Sequence, residues 1–362
     1  MSRFWNKKTN AIEPYVAGEQ PREGQKIIKL NTNENPYPPS PRIGALLKDF
    51  NEERLRLYPD TSCTALREAF AEFYGVRPTQ IFCGNGSDEV LAFAFRAFFE
   101  SGPDAPPLLT PDISYSFYPV YAELFDIPLK KIPLREDFSI APEDYLYPEG
   151  GVAIANPNAP TGLALPVDSI RRILDANPDR VVLIDEAYAC FGGPSCIGLL
   201  KEYPNLLIIG TLSKSHSLAG LRLGFAIGSE ELIEGIQRIR DSFNSYPVDT
   251  LAQKTAEAAV RDRAWHEENT RKIVATRERV REAFRAMGFK MTDSKANFLF
   301  VRPDGISASE LYTKLKNKGI LVRYFGKPRI SEYLRISVGT DEQMTELIKA
   351  VRELRGGDEE GE

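Results

Sequence analysis

The sequence predicts an α/β protein with a mainly parallel sheet between helices, followed by a smaller α+β domain. The chain has 362 residues, which is more than one hydrophobic core usually serves. From about residue 64, short apolar runs that suit buried strands alternate with helical segments. From residue 289 the order changes to strand, helix, strand, strand, helix, which is typical of a second, smaller unit.

The domain bounds follow from these patterns. We expect residues 1–40 to form an N-terminal arm and part of the small domain, and residues 41–248 to form the large domain. Residues 249–355 are expected to form the small C-terminal domain. Residues 356–362, GGDEEGE, are expected to be a solvated, disordered tail.

The first elements each have a recognisable signal. Residues 31–41, NTNENPYPPSP, are rich in Pro and Asn and predict loop or extended chain. TALREAFAEFYG predicts an amphipathic helix ended by Gly75, and QIFCGNGSDEVLAFAFRAFF predicts a strand, a glycine turn and a helix. Residues 250–288 predict a long helical stretch that bridges the two domains. The remaining apolar runs of the large domain are PLLTP, VAIANPN, VVLIDEAY, LLIIGTLS and LGFAIG.

Composition excludes several classes of function. The net charge is −5, which gives no reason to expect nucleic acid or an anionic membrane as a partner. The N-terminus lacks the apolar run of a signal peptide, and the chain has no apolar run long enough to span a membrane. Four cysteines without CxxC spacing predict reduced thiols in a cytoplasmic protein. Only two histidines are present, so a metal site built on several histidines is not expected.

Polar residues follow several of the predicted strands, where ligands of open parallel sheets usually bind. After QIFC comes a glycine turn with Gly86, Ser87 and Asp88, which open a helix. The free N–H groups and positive dipole end of that helix suit a phosphate, although Ser and Asp also open helices that bind nothing. Asp185 follows the apolar run VVLI, and an acid at that position is either a strand-end cap or a charge held against a cationic ligand.

Lys214 lies in a loop of small residues directly after the apolar run LLIIG. Burying a lysine there is unfavourable unless the amine has a use, and a lowered lysine pKa is what Schiff-base chemistry requires. Thr211 and Ser213 flank the lysine and Arg222 follows it, so hydroxyls and a cation for a phosphate are close in sequence. An ordinary lysine in a surface loop is the alternative interpretation, but it does not account for the neighbouring hydroxyls and arginine.

Five motifs in order resemble the fold-type-I pyridoxal-phosphate aminotransferases. They are GNGSDE, NPNAPTG, DEAY, TLSKSHSLAGLRLG and YLRISVGT, and the resemblance covers essentially the whole chain. It implies a large domain with a mainly parallel seven-stranded sheet. Within this family, the segments EPYVAG, KLNTNENPYPPSP and RLYPD are most similar to the histidinol-phosphate aminotransferase branch.

The resemblance assigns roles around the cofactor pyridoxal 5′-phosphate. Lys214 binds it covalently and later moves a proton, Asp185 pairs with the protonated pyridine nitrogen, and Tyr188 donates to the phenolate oxygen. Tyr115 stacks on the ring. The phosphate is bound by Gly86, Ser87, Asp88, Thr211, Ser213 and Arg222.

The resemblance also implies substrate and partner contacts. Tyr58 of RLYPD reaches the phosphate across a dimer interface, so a homodimer with shared active sites is expected. Arg335 binds a carboxylate or phosphate of the substrate, and Arg323 is a second candidate for an anion contact. Tyr15 and Asn33 would line the substrate pocket.

The motif NPNAPTG departs from the family pattern. The family has Asn directly before PTG, and that Asn contacts the phenolate oxygen, whereas this chain has Ala159. Either Asn158 supplies the amide or Tyr188 serves alone, and we favour Asn158.

The implied reaction is a ping-pong amino transfer. L-histidinol phosphate and 2-oxoglutarate would interconvert with imidazole acetol phosphate and L-glutamate, as a step of histidine biosynthesis. An aromatic-amino-acid aminotransferase or a threonine-phosphate decarboxylase on the same scaffold is the alternative. A ligand-sensing domain of a transcription regulator is a remote alternative. Such regulators place a DNA-binding module ahead of this fold, whereas here the catalytic-type fold begins by about residue 30.

Overall fold

The structure is a computed structural model that describes residues 2–14, 18–20, 24, 27–146 and 150–356. Its strands are β1 Ile28–Lys29, β2 Ile81–Gly84, β3 Leu108–Pro111, β4 Leu129–Ile132, β5 Val152–Ala155, β6 Val182–Asp185, β7 Leu206–Thr211, β8 Gly224–Ile227, β9 Lys290–Met291, β10 Phe298–Arg302, β11 Ile320–Leu321, β12 Arg323–Tyr324 and β13 Leu334–Ser337.

The helices alternate with these strands. They are α1 Lys7–Ala11, α2 Pro41–Lys48, α3 Thr64–Tyr74, α4 Gly86–Phe98, α5 Phe117–Leu124, α6 Val167–Ala176, α7 Leu212–Ser215, α8 Glu230–Asp241, α9 Thr250–Val260, α10 Arg263–Ala286, α11 Ala308–Asn317 and α12 Asp341–Gly356. Gly75 ends α3 in the left-handed region with φ of 69°, which glycine adopts without strain.

A seven-stranded sheet with the order β2-β8-β7-β6-β5-β3-β4 forms the centre of the large domain. Strand β8 runs antiparallel to both of its neighbours, and the other pairs are parallel. The predicted fold class, with a mainly parallel seven-stranded sheet between helices, is therefore confirmed.

The central strands are buried on both faces, which explains their continuous apolar runs. Ile154, Ile184 and Ile208 join one hydrophobic core. Leu183 and Leu207 point to the opposite face and join a second core. Helices cover both faces, so the polar residues that follow the strands gather at one edge.

The second unit is built on a four-stranded antiparallel sheet with the order β12-β13-β10-β9. Its own core includes Leu299, Leu311, Leu334 and Leu347. The N-terminal strand β1 pairs in parallel with β11, so the arm joins this unit. The predicted domain bounds stay a prediction.

The helical stretch predicted over residues 250–288 is two helices. Arg261 and Asp262 separate α9 from α10. Asp262 has non-helical φ and ψ of −94° and 62°, and its carboxylate accepts a hydrogen bond of 2.5 Å from the Ser40 hydroxyl. This tertiary contact competes with helix continuation at that residue. The predicted tail begins at Gly356, which ends α12, and residues 357–362 lie outside the described residues.

Within the part of the chain that the structure describes, no helix is both long and apolar enough to cross a membrane.

Candidate active site

A cavity of about 190 Å³ opens where β6 and β7 end. Strand β8 begins at Gly224, directly opposite Thr211 at the end of β7, so the loops of three strands meet there. Of the predicted site residues, the cavity brings together Asn33, Ser87, Asp88, Tyr115, Asp185, Tyr188, Thr211, Ser213, Lys214, Arg222, Arg323 and Arg335.

The Lys214 amine lies inside this cavity. Its Nζ donates a hydrogen bond of 2.9 Å to the carbonyl oxygen of Thr32. The backbone carbonyl of Lys214 accepts a hydrogen bond of 3.0 Å from the side-chain amide of Asn35. Burial, with the positive charge of Arg335 as the second cause, lowers the Lys214 pKa to about 8. More of the amine is therefore neutral and nucleophilic near neutral pH than in an ordinary lysine, although the protonated form still predominates below pH 8.

Asp185 ends β6 and is buried on the cavity floor. One carboxylate oxygen accepts from the Ala187 N–H and the other from the Tyr118 hydroxyl, both at 3.1 Å. Burial raises the Asp185 pKa to about 6, because the carboxylate has lost water, although both hydrogen bonds oppose this shift. A cation beside the carboxylate would keep it ionised.

The first turn of α4 forms one end of the cavity. An added Cβ at Gly224 would lie 2.2 Å from the Ser87 nitrogen, so only glycine permits this close approach of β8 to the turn. Arg222 forms an ion pair of 3.2 Å with Asp88. The first turn of α4, the Ser87 hydroxyl and the Arg222 guanidinium together form a site that suits a phosphate.

Two aromatic side chains shape the cavity walls. The Tyr115 hydroxyl donates to the Asp88 carboxylate at 2.6 Å. The Tyr188 ring packs edge-on against Phe298 with centroids 5.1 Å apart, and its hydroxyl accepts a hydrogen bond of 3.0 Å from the Asn33 amide. Asn33 therefore contacts a predicted catalytic residue and helps to position its hydroxyl.

Two arginines lie side by side at the small-domain wall. Arg323 on β12 and Arg335 on β13 are directly paired across the strands, so their side chains leave the same face. Arg335 donates a hydrogen bond of 2.9 Å to the Asn31 carbonyl oxygen. Its guanidinium lies 5.5 Å from the Phe298 ring centroid. Two adjacent guanidinium groups favour an anion between them.

Two of the predicted residues that the structure describes, Gly86 and Asn158, do not line the cavity. Gly86 lies behind Arg222, where an added Cβ would be 2.7 Å from that guanidinium. Asn158 donates to the Ile113 carbonyl, in the loop after β3, and to the Thr161 hydroxyl, so its amide hydrogens already have acceptors and are not presented to a cofactor. Ala159 lines the cavity in its place. Tyr58 is exposed on the surface, stacked on Tyr246, and Tyr15 lies outside the described residues.

Sequence analysis missed Tyr118, Thr32 and Asn35. The signal for Tyr118 was present, because Tyr118 and Tyr121 are three residues apart and so share a face of α5, directly after Tyr115. Thr32 acts through its backbone carbonyl and Asn35 contacts a backbone carbonyl, and no side-chain pattern in the sequence reveals such contacts.

Comparison with known families settles the class. The family model described as "Aminotransferase class I and II" matches residues 25–351. The chain belongs to this aminotransferase family. The predicted family and enzyme class are thus confirmed.

Relatives of this aminotransferase carry a more specific name. A histidinol-phosphate aminotransferase of Clostridium acetobutylicum is 51% identical over 353 residues, covering 98% of this chain and 99% of the relative. One from Chromohalobacter salexigens is 50% identical over 351 residues, covering 97% and 99%. The resemblance to this branch, stated from the motifs, is confirmed.

Solved structures share the fold. The histidinol-phosphate aminotransferase of Sinorhizobium meliloti in complex with pyridoxal-5′-phosphate superposes with a TM-score of 0.85 and 24% identity, covering 98% of this chain and 99% of that one. An aspartate aminotransferase of Thermus thermophilus with maleate has a TM-score of 0.79 at 18% identity, covering 97% and 99%.

Proposed function

We propose that this aminotransferase exchanges an amino group between L-histidinol phosphate and 2-oxoglutarate, giving imidazole acetol phosphate and L-glutamate, in a ping-pong reaction with pyridoxal phosphate as cofactor. The reaction belongs to histidine biosynthesis. Relatives with this name at about 50% identity over nearly the full chain support the substrate.

One observation carries the proposal: the Lys214 amine lies in a cavity with anion-binding groups on two sides. Arg222 and the first turn of α4 form one of them, and the paired Arg323 and Arg335 form the other. A cofactor phosphate and a substrate anion thus have separate places, with the amine in the same cavity.

The cavity residues fit pyridoxal phosphate by their chemistry. Ser87, Asp88, Thr211, Ser213 and Arg222 would hold the phosphate at the first turn of α4. Asp185 is a buried acid whose raised pKa calls for a cationic partner, which a protonated pyridine nitrogen provides. When bound, the cofactor ring withdraws electrons from the carbon that bears the amino group.

The protein's own groups then perform the proton transfers. Asp185 holds the proton on the ring nitrogen and thereby maintains the electron-withdrawing character of the ring. Lys214 Nζ takes the proton from the substrate Cα and returns it to C4′ of the cofactor. Tyr188, positioned by Asn33, donates to the phenolate oxygen.

Arg335 and Arg323 bind the substrate anion. Because the two strands pair at these residues, both side chains leave the same face of the sheet, and both line the cavity. A carboxylate of glutamate and the phosphate of histidinol phosphate carry the same sign of charge, so one pair of arginines serves both substrates in turn.

A homodimer completes the proposal. Tyr58 is 82% exposed although it is a large aromatic residue, and Leu55, Leu57 and Phe243 are exposed as well. Such exposed apolar residues favour an interface with a second copy. In that arrangement Tyr58 would reach the phosphate in the partner's cavity.

Four free cysteines support a cytoplasmic location.

A half-reaction screen tests the substrate assignment. The protein is first converted to its pyridoxamine phosphate form, and single keto compounds are then added while the visible absorbance is recorded. Imidazole acetol phosphate and 2-oxoglutarate should restore the absorbance fastest. Faster recovery with phenylpyruvate would make it an aromatic aminotransferase, and carbon dioxide release from threonine phosphate would make it a decarboxylase.

A further inference from the structure

The two arginines of the proposed anion site share one aromatic neighbour. The guanidinium carbon of Arg323 lies 5.6 Å from the ring centroid of Phe325, and that of Arg335 lies 5.6 Å from the same centroid. Arg335 also lies over the ring of Phe298, at 5.5 Å. Each distance is within the ~6 Å over which the face of an aromatic ring attracts a cation. The ring of Phe325 is therefore within reach of both cations.

The strand pairing explains this arrangement. Arg335 pairs directly with Arg323 on β12 and with Phe300 on β10, so the three side chains leave one face of the four-stranded sheet. Phe298 precedes Phe300 by two residues on the same strand and shares that face, because side chains alternate along a strand. Phe325 comes directly after β12, two residues beyond Arg323. The sheet thus carries aromatic rings beside its two inward-facing cations.

The ring of Phe325 is supported from behind. It packs against a hydrophobic cluster that contains Leu134, Phe138, Phe300 and Ile330. Leu134 and Phe138 follow β4 in the large domain. Phe300 and Ile330 belong to the second unit. Because close-packed side chains have little freedom to move, the ring offers the two guanidinium groups a fixed surface.

An aromatic neighbour suits an anion site better than an acidic one. A carboxylate beside an arginine would neutralise its charge and accept its N–H groups, which a substrate anion needs. The face of a ring attracts the guanidinium while the N–H groups point outwards in the guanidinium plane. Arg323 and Arg335 also repel each other, and a ring that attracts both offsets part of this repulsion.

We propose that Phe325 is a positioning residue that, through the face of its ring, aligns Arg323 and Arg335 as one binding site for the substrate anion. The inference rests on the proposed function, which assigns substrate binding to these arginines. Because the guanidinium groups are ordered before the anion arrives, binding costs less conformational entropy. Loss of the ring should weaken anion binding and leave the proton transfers at Lys214 unchanged.

Succinate tests this role, because it is a dicarboxylate with no amino or keto group that could react. Its dissociation constant for the full-length holoenzyme is measured by calorimetry. Phe325→Leu keeps an apolar side chain against the cluster but removes the ring, and it should raise the dissociation constant about fivefold. Phe325→Tyr keeps the ring face and should bind succinate like wild type. Equal dissociation constants in Phe325→Leu and wild type would overturn the proposal.

Ring fluorination separates the attraction of the ring face from its packing. Pentafluorophenylalanine at position 325 keeps an aromatic ring in place but reverses the charge distribution that attracts a cation. This protein should bind succinate about as weakly as Phe325→Leu, and it keeps the test decisive if Phe325→Leu fails to fold. Succinate affinity equal to that of wild type would show that the ring acts by packing alone and would overturn the proposal.

Steady-state kinetics show where the effect falls. In Phe325→Leu the KM of each substrate should rise about fivefold, while kcat stays within about twofold of wild type. A loss confined to kcat would overturn the proposal. The ratio of succinate dissociation constants stands whichever substrate pair the half-reaction screen identifies, so a wrong substrate assignment and a wrong role for Phe325 give different results.

Phe4→Leu is the matched control. The exposed ring of Phe4 also lies beneath a guanidinium, that of Arg3 at 4.8 Å, but it does not line the active-site cavity. This variant should bind succinate like wild type. A fivefold loss in Phe4→Leu as well would mean that the effect is not specific to the anion site and would overturn the proposal.

Discussion

The hydroxyl of Tyr118 donates a hydrogen bond of 3.1 Å to the carboxylate of Asp185 on the floor of the active-site cavity. Tyr118 is fully buried, and this contact favours the ionised form of an acid whose pKa burial has raised to about 6. The tyrosine therefore helps to hold the negative charge that the cofactor ring requires.

Replacing Tyr118 by Phe should raise the Asp185 pKa further. A hydrogen bond to a charged group contributes about 1.5–3 kcal/mol, so kcat/KM near pH 6 should fall about tenfold or more. The pH profile of kcat/KM should show its acid limb displaced to higher pH. Tyr121→Phe is the control, because its hydroxyl donates to the Asp88 backbone carbonyl, and its acid limb should match wild type. An unchanged acid limb in Tyr118→Phe would contradict the role.

Asp185→Asn should retain the cofactor but lose most turnover. The amide keeps the size of the side chain but cannot hold a proton on the ring nitrogen, so kcat should fall about 10²- to 10³-fold. Cofactor content by absorbance and kcat by coupled assay separate the two effects. Asp112→Asn, which removes an ion pair with Arg329 outside the cavity, should keep its kcat. Wild-type kcat in Asp185→Asn would remove the assigned role.

Lys214→Ala should lose the covalent link to the cofactor. Borohydride reduction of the wild-type protein followed by peptide mapping should label the peptide that contains Lys214, and the variant should carry no label. Turnover should fall by about 10²- to 10⁴-fold, the range that general acid–base groups contribute. Lys295→Ala, at a lysine paired with Asp293, is the control. A label on another lysine would refute the assignment.

The covalent uptake of cofactor should depend on pH. The Lys214 pKa is lowered from 10.5 to about 8, so the amine is mostly protonated below pH 8 and mostly neutral above it. Only the neutral amine is nucleophilic, so the rate at which the cofactor-free protein binds pyridoxal phosphate covalently should rise as pH increases through about 8. Stopped-flow absorbance measures this rate. A rise centred near 10.5 would show that the cavity leaves the lysine unperturbed.

Tyr58 should act across a dimer interface. If the active site is shared, Tyr58→Ala and Lys214→Ala dimers should each be impaired, but a mixed dimer would have one cavity with an intact Lys214 and an intact Tyr58 from the other copy. Mixing and re-equilibrating the two should restore up to about a quarter of wild-type activity for random pairing. Light scattering checks the assembly, and a monomer would rule out the shared site.

The sequence predicted the parts of the molecule whose signals are local. Lys214 and Asp185 each follow a continuous apolar run, because their strands are buried on both faces. The ends of these runs therefore allowed us to predict which polar residues lie at the carboxyl edge of the sheet. Strand β4 escaped notice because two of its residues, Lys130 and Lys131, are exposed on an edge strand. Its pattern is that of a surface segment.

Contacts between distant residues were beyond sequence reasoning. The Asn158 amide was expected at the cofactor, but it donates to the Ile113 carbonyl, in the loop after β3, and to the Thr161 hydroxyl in its own loop. The helix break at Asp262 depends on Ser40, which lies 222 positions away. Each case includes a hydrogen bond to a residue distant in sequence, from Asn158 to Ile113 and from Ser40 to Asp262, which local sequence patterns do not reveal.

The pairing of β1 with β11 has a consequence for the order of events on the ribosome. Ile28 pairs with Ile320, and the same N-terminal segment supplies the Thr32 carbonyl that receives the Lys214 hydrogen bond. Until Ile320 and Leu321 have been synthesised and have left the exit tunnel, this segment has no strand to join. The nascent chain can fold its central sheet earlier. The lysine, however, gains its final surroundings only near the end of translation, so a truncated chain that stops before β11 should fold in part yet load cofactor poorly.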